Sequence, residues 1–245
     1  MPDVSPMTAL VTGADRGFGF CIARRLAEAG WRVYAGRVLP DYFLLDRLHN
    51  EFPQVIPLPL DVSSTDGLLC ARETIGQAGG RLDLLVSNAA VMGSDGTAAL
   101  GGEKALDFDA LERAFCINSL AAPRLVDSLL PLLEASAFRR LFFTSSEISS
   151  IRLMRRRGDA RYAMSKTALN LGVRMLFNTL RPRGFTFRLY QPGWMKRMLP
   201  DGSLAEGGEI DPDVSAAAAV RQILEDRPDE DRLVLTDLLG RELSF

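Results

Sequence analysis

The side chains of this sequence best suited to chemistry are a phenol and an ammonium one helical turn apart, in Tyr162-Ala163-Met164-Ser165-Lys166. Residues at i and i+4 share a helix face, so both groups can reach the same edge of a cleft. A free phenol titrates near ~10, too high for easy proton exchange at neutral pH, and a neighbouring cation is expected to lower that value. Far upstream, Thr12, Gly13, Gly17 and Gly19 lie between a short apolar run and an amphipathic one. That order predicts a strand, a tight turn and a helix start. Missing side chains let the backbone approach a pyrophosphate, and the helix N-terminus adds unbonded N–H groups with a partial positive charge. The expected cradle is Gly13, Asp15, Arg16, Gly17, Phe18 and Gly19. Its Gly-x-x-x-Gly-x-Gly spacing departs from the Gly-x-Gly-x-x-Gly fingerprint, so a purely structural turn is the competing reading. Taken with Tyr162 and Lys166, the turn implies hydride chemistry on a nicotinamide dinucleotide.

About twenty residues beyond such a turn, an acid reads two ribose hydroxyls or an arginine reads a 2′-phosphate. Here the second strand ends in Tyr34-Ala35-Gly36-Arg37, with no acid. Arg37 and Arg16 suit charge-assisted bonds to phosphate, which favours NADP(H) over NAD(H).

The elements that must hold these groups alternate along the chain. Apolar runs at Met7–Val11, Trp31–Gly36, Val55–Leu60, Leu82–Ser87, Arg140–Ser145, Phe185–Gln191 and near Leu233–Thr236 read as strands. Between them, Gly17–Ala29, Asp41–Phe52, Ser64–Ala78, Asp107–Leu133, Arg161–Leu180 and a segment opening at Asp211-Pro212 read as helices. Such alternation predicts an α/β fold, a doubly wound parallel sheet between helices. Met92–Leu106 and Lys196–Ile210, rich in glycine, are expected to be long loops beyond the carboxyl ends of the strands, where they could wall a substrate site.

Bulk properties narrow the field. With 245 residues and 47% hydrophobic content, the chain suits a single domain over 1–245 with one sizeable core. A formal charge of −2 gives no footprint for nucleic acid or an anionic membrane. Without a signal-like N-terminus or a long apolar stretch, the expected location is cytoplasmic. Cys21, Cys70 and Cys116 are too widely spaced for a disulfide framework or a thiolate metal site, and read as reduced, half-buried packing. His49 is the lone histidine. A serine–histidine nucleophile would have to use it, yet it stands in a predicted surface helix.

Seven ordered motifs give the chain a resemblance to the short-chain dehydrogenase/reductase family, and the wording of the later ones is similar to its carbonyl-reductase-like branch, which includes the C-factor and sniffer proteins. They are the Thr12–Gly19 turn, Asp61-Val62, Ser87-Asn88-Ala89-Ala90, Asn118, Thr144-Ser145-Ser146, the stretch from Tyr162 through Lys166 to Asn170, and Gln191-Pro192-Gly193-Trp194. The resemblance implies a Rossmann-type sheet and reduction of a ketone or aldehyde, or the reverse. It assigns Asp61 and Val62 to the adenine, Asn88, Ala89 and Ala90 to the adenosine-side ribose, and Pro192, Gly193, Trp194 and Met195 to the nicotinamide. It further makes Tyr162 the proton donor and Ser146 the group bonding the carbonyl oxygen. Lys166 would hold the nicotinamide ribose, and Asn118 a water leading from Lys166 to solvent. It also implies a homodimer or homotetramer through the helices Asp107–Leu133 and Arg161–Leu180, whose residues Leu169, Val173 and Leu176 read equally well as core.

The chain departs from that family's pattern in places. Ser146 stands sixteen residues before Tyr162, so the loop between them must bulge, and Ser145, Ser149 and Ser150 are rivals for its role. Ala90 stands where a glycine is usual, and Arg197 replaces the threonine expected beside the nicotinamide. The bulging loop holds Arg152, Arg155, Arg156, Arg157 and Arg161, a charge run that reads as solvated surface or as a steering patch for an anionic substrate. A catalytically weak nucleotide sensor or structural partner, and a lyase or epimerase using the same tyrosine, are the alternative functions.

Overall fold

The apolar runs form strands, named here β1 (Thr8–Val11), β2 (Arg32–Arg37), β3 (Val55–Pro59), β4 (Leu84–Ser87), β5 (Arg140–Thr144), β6 (Thr186–Gln191) and β7 (Leu235–Asp237). The amphipathic runs form helices α1 (Gly17–Glu28), α2 (Leu44–Glu51), α3 (Thr65–Gln77), α4 (Phe108–Ala114), α5 (Ala121–Glu134), α6 (Ala160–Leu180) and α7 (Pro212–Leu224). The structure, a computed structural model, describes residues 5–92 and 100–245, so Gly93 and Gly96 of the expected Met92–Leu106 loop lie outside the described residues.

Among the described residues the strands make one sheet in the order β3-β2-β1-β4-β5-β6-β7-β8, where β8 is the two-residue strand Glu242–Leu243. Every neighbouring pair is parallel except β7 with β8. Because strand side chains alternate faces, the sheet divides its apolar residues between two cores. Leu10, Leu85, Leu141, Phe143 and Leu189 face one way and meet α3, α5 and α6. Ala9, Val11, Val86, Phe142 and Tyr190 face the other way and meet α1, α2 and α7. This is the doubly wound arrangement that the alternation predicts. Leu169 and Val173 of α6 belong to the first core, and Leu176 packs against it.

Two helices differ from expectation. The second begins at Leu44 rather than Asp41, because Tyr42 turns inward to 8% exposure while the Val38 and Leu39 N–H groups donate to the Asp15 carboxylate. The long helix starts as expected, with the Asp107 side chain accepting from the Ala110 N–H at 2.9 Å, but a π-helical turn at Phe115–Leu120 separates α4 from α5. Such turns insert one residue into the helical register, and here the turn carries Asn118. The cysteines also differ: Cys21 is fully buried, Cys70 exposed and only Cys116 half-buried.

Under the α7 end of the sheet, two arginines on adjacent strands are almost fully buried, Arg140 at 1% and Arg188 at 2% exposure. Arg188 makes two bonds to the Glu230 carboxylate, at 2.7 and 2.9 Å, and Arg140 reaches Asp226 at 2.6 Å. Burial, and then the charge of Arg188, push the Arg140 guanidinium below its ordinary value. Removing Glu230 leaves the buried Arg188 without its carboxylate partner, while Arg140 keeps Asp226. A Glu230→Ala variant should therefore lose about 3–5 kcal/mol of stability in urea unfolding. Breaking the exposed Arg232–Glu242 pair with Glu242→Ala should leave the urea midpoint almost unchanged, because solvent screens it.

Candidate functional site

Parallel pairing brings the carboxyl ends of β1, β4, β5 and β6 to one edge of the sheet. Strands β1 and β4 are neighbours in space but not in sequence, so their following loops leave in opposite directions and open a crevice. Every site residue read from the sequence, except Asp61 and Val62 after β3 and Arg37 at the end of β2, follows one of these four ends or stands on α1, the π-turn or α6.

In the glycine turn, Gly17 has φ +58°, and a side chain there would meet nothing within 4 Å. Its bare face is open to a ligand. Gly19 serves a different need, because a Cβ there would run into the Gly13 carbonyl and the Asn88 amide. Arg16 is the N-cap of α1 and makes no capping bond with its side chain, so the first N–H groups are left for other partners. One is taken by Met198 of the Lys196–Ile210 loop, whose sulfur accepts from the Gly17 N–H at 3.2 Å. The sequence gives no sign of this contact, since it joins residues 181 positions apart. Asp15 is buried and holds the β2 end, as described above.

A seam of hydrogen bonds ties the turn to α6. Thr12 Oγ1 accepts from the Asn88 and Ala89 N–H groups at 2.9 and 3.0 Å. The Asn88 amide donates back to the Thr12 and Gly13 carbonyls, and its oxygen accepts from Thr144 Oγ1 at 3.1 Å. The Thr144 carbonyl in turn accepts from Lys166 Nζ at 2.7 Å. Thr144 thus bridges both halves, with its hydroxyl on one side and its main-chain carbonyl on the other. Asn118 is locked beside it. Its amide oxygen accepts from Val91 N–H at 2.8 Å, and its NH2 donates to the Val91 carbonyl and to Ser165 Oγ at 2.9 and 3.0 Å.

Lys166 Nζ lies 5.6 Å from the centre of the Tyr162 ring, so the structure brings the pair together as the spacing predicts. Their electrostatics correct the sequence expectation. Burial pushes the Tyr162 hydroxyl up to about 12 rather than down, and it pushes the Lys166 ammonium down to about 8. The cause is that each ionised form is desolvated while Lys166 spends its bond on a neutral carbonyl.

The four serines after β5 are also distinguished. Ser145 donates to the Asn170 side-chain amide oxygen at 2.6 Å, and Ser149 accepts from the Asn170 NH2 at 2.7 Å, which makes both part of a buried network. Ser150 is 1% exposed and accepts from Leu153 N–H. Ser146 alone of the four is half-exposed, and its hydroxyl makes only a long 3.4 Å contact with Ile148 N–H.

The remaining positions are less concentrated. Asp61 is exposed and accepts from Ser63, while Val62 is buried. Ala90 is exposed. Pro192 is buried, Gly193 takes φ +86°, Trp194 is 64% exposed, and Met195 bridges to Ile210. Arg197 is exposed, with only its carbonyl engaged, by Ala205 N–H. His49 is exposed and bonds the Val55 carbonyl, with no serine partner among the described residues. Phe18 stacks on Tyr190 in the core, with ring centres 5.8 Å apart.

Two arginines of the basic loop line a separate groove. Arg156 and Arg157 line an apolar groove of about 810 Å³ with Phe115, Ala163, Met164 and Leu171, and neither Tyr162 nor Ser146 belongs to its wall. At about 100° per residue, the groove side of α6 is roughly opposite Tyr162 and Lys166. Arg156 is paired with Glu147 and Asp159, and Arg155 bonds the Arg152 and Met154 carbonyls.

Lys166 links this site to stability. Between pH 8 and 10.5 an unfolded chain still holds a proton that the native lysine has released, so native stability rises with pH across that window. A Lys166→Met protein lacks this term. Its stability relative to the parent should fall by about 3 kcal/mol between pH 8 and 10.5, measured by urea unfolding at each pH. The Tyr162 contribution has the opposite sign above pH 10 and cancels in the difference.

A model of the short chain dehydrogenase family matches residues 7–201. The chain is 37% identical to the C-signal protein of Myxococcus xanthus over 127 residues, which cover 51% of this chain and 74% of that one. It is 31% identical to D-erythrulose reductase of Gallus gallus over 194 residues, covering 78% and 73% of the two chains. Among solved structures, an NADPH-bound carbonyl reductase from chicken fatty liver superposes with a TM-score of 0.83 at 23% identity, over 99% of this chain and all of the other. By its sequence and by the fold that places Tyr162 beside Lys166, this chain belongs to the short chain dehydrogenase family.

Proposed function

We propose that the protein is an NADP(H)-dependent reductase that converts a ketone or aldehyde to an alcohol, with Tyr162 as general acid. The observation that carries this reading is the placement of Tyr162 and the buried Lys166 at the crevice edge, bonded through Thr144 and Asn88 to the glycine turn. The names of the chicken relatives, one a reductase and one an NADPH-bound carbonyl reductase, agree with it.

The edge fits a dinucleotide. Gly17 offers a bare face and α1 an uncapped N-terminus for a pyrophosphate, where the weakly accepting Met198 sulfur is readily exchanged for a phosphate oxygen. Arg16 and Arg37 suit a 2′-phosphate, Asp61 and Val62 the adenine, and the Pro192–Met195 turn the nicotinamide side. When bound, the reduced cofactor supplies a hydride.

The chain's own residues manage the oxygen. As the carbonyl carbon gains the hydride, its C=O electron pair moves to oxygen, which takes the proton of Tyr162. A phenol held near pH 12 by burial is fully protonated at neutral pH, the state a donor needs. Ser146, the half-exposed serine after β5, is the hydroxyl available to bond the developing oxyanion. Lys166, near 8, is the stronger acid of the pair, so the proton lost by Tyr162 is restored from its side. The Asn118 side chain is fully engaged, so any water held there bonds its main chain, which the π-turn releases from regular helical pairing. Outside the crevice, the exposed Met164 and Leu171 on α6 suit pairing with a second copy of the chain.

Turnover is read as loss of NADPH absorbance with a panel of ketones and aldehydes. Tyr162→Phe should lower kcat about 10²–10⁴-fold and leave NADP affinity intact, and Ser146→Ala should lower it about 10²–10³-fold. The rate of reduction should fall as pH rises through 8, where Lys166 loses its proton. Undiminished turnover in Tyr162→Phe would refute the assigned acid.

A further inference from the structure

We infer that Tyr42, acting through Arg16, sets a preference for a 2′-phosphorylated dinucleotide, and that Asp46 supports it through Arg37. The inference rests on the NADP(H) reading and names two positioning residues for it. The chain segments bearing the two arginines are clasped together. Ala14 N–H donates to the Gly36 carbonyl at 2.8 Å, and the Asp15 carboxylate accepts from Val38 and Leu39 N–H, both at 2.9 Å. Arg16 and Arg37 therefore emerge side by side from the turn after β1 and from the end of β2.

Each guanidinium is then held from the start of α2. The Arg16 guanidinium carbon lies 4.9 Å from the centre of the Tyr42 ring, and its Nη1 donates to the Tyr42 hydroxyl at 2.5 Å. Tyr42 is only 8% exposed, so the ring is a fixed support. Arg37 gives Nη1 alone to both Asp46 oxygens, at 3.0 and 2.9 Å. Among the described residues, Nε and Nη2 of both arginines make no hydrogen bond. An arginine held by one nitrogen presents its other N–H groups in a fixed direction, which suits a phosphate with its tetrahedral oxygens. Long side chains lose rotamer freedom when they bind, and holding them beforehand removes much of that cost. Tyr42 and Asp46 stand four residues apart, so one short segment supports both cations. If they served only to anchor α2, loosening them would weaken binding of all adenine nucleotides alike.

Calorimetric titration with 2′,5′-ADP and with 5′-AMP separates these roles, because the two differ only in the 2′-phosphate and neither requires turnover. The parent protein should prefer 2′,5′-ADP. Tyr42→Ala should reduce that preference about five- to tenfold by weakening 2′,5′-ADP alone. Tyr42→Phe retains the ring but not the hydroxyl, and should reduce it about twofold, a measurement that stands even where the alanine variant does not fold. Asp46→Asn, which keeps one acceptor for Arg37, should retain more of the preference than Asp46→Ala. An unchanged ratio in Tyr42→Phe, or equal weakening of both ligands in Tyr42→Ala, overturns the inference. A parent protein with no preference for 2′,5′-ADP overturns the NADP(H) reading itself.

Discussion

The hydrogen-bond seam from Thr12 through Asn88 and Thr144 to Lys166 is the constraint on which the site depends. The parallel sheet only brings strand ends to a common edge. It does not fix how the loops beyond them stand relative to one another. Asn88 does that by using both ends of its amide, donating to the β1 turn and accepting from the end of β5. The absence of a side chain at Gly19 is part of the same device, since any Cβ would collide with the Asn88 amide and the Gly13 carbonyl. The glycine spacing therefore meets two separate demands: one glycine admits the seam and another, Gly17, leaves the outer face bare.

Placing an ammonium at the end of that seam works against stability. Lys166 is 1% exposed and its direct partner is a carbonyl rather than a carboxylate, so its charge is desolvated without full compensation. The fold contains a contrasting case at the other end of β5 and β6, where Arg140 and Arg188 are equally buried but share Asp226 and Glu230. The compensated cluster holds the segment after α7 in place. The uncompensated lysine is poised to give up its proton, which is a property of functional sites rather than of structural ion pairs.

Much of this was legible in the sequence because it depends on local pattern. Apolar runs and amphipathic runs reported the strands and helices to within a few residues, and the four-residue spacing of Tyr162 and Lys166 reported a shared helix face. What could not be read depends on long-range contacts or on the balance of opposing electrostatic effects. The π-turn around Asn118 leaves no trace in hydrophobic periodicity, because it inserts a single residue into an otherwise regular helix. Met198 reaches Gly17 only through the folded path of its loop. The Tyr162 shift has the sign opposite to that expected from the spacing, since proximity to a cation can be read from sequence but desolvation cannot. The choice of Ser146 among four serines rests on which of them Asn170 withdraws into the core.

The placement of α6 has a further consequence for how substrate selection can arise. One side of this helix bears Tyr162 and Lys166, and the side roughly opposite forms the wall of a groove with Arg156 and Arg157 at its rim. Within the bulge between Ser146 and Tyr162, Arg156 and Arg157 are the arginines that line this groove. Anionic groups drawn to Arg156 or Arg157 would thus collect behind the catalytic helix, not above the tyrosine. After β6, at the carboxyl edge of the sheet, Trp194, Lys196 and Arg197 are exposed, so the proposed substrate would meet a different set of cations there from the pair that lines the groove.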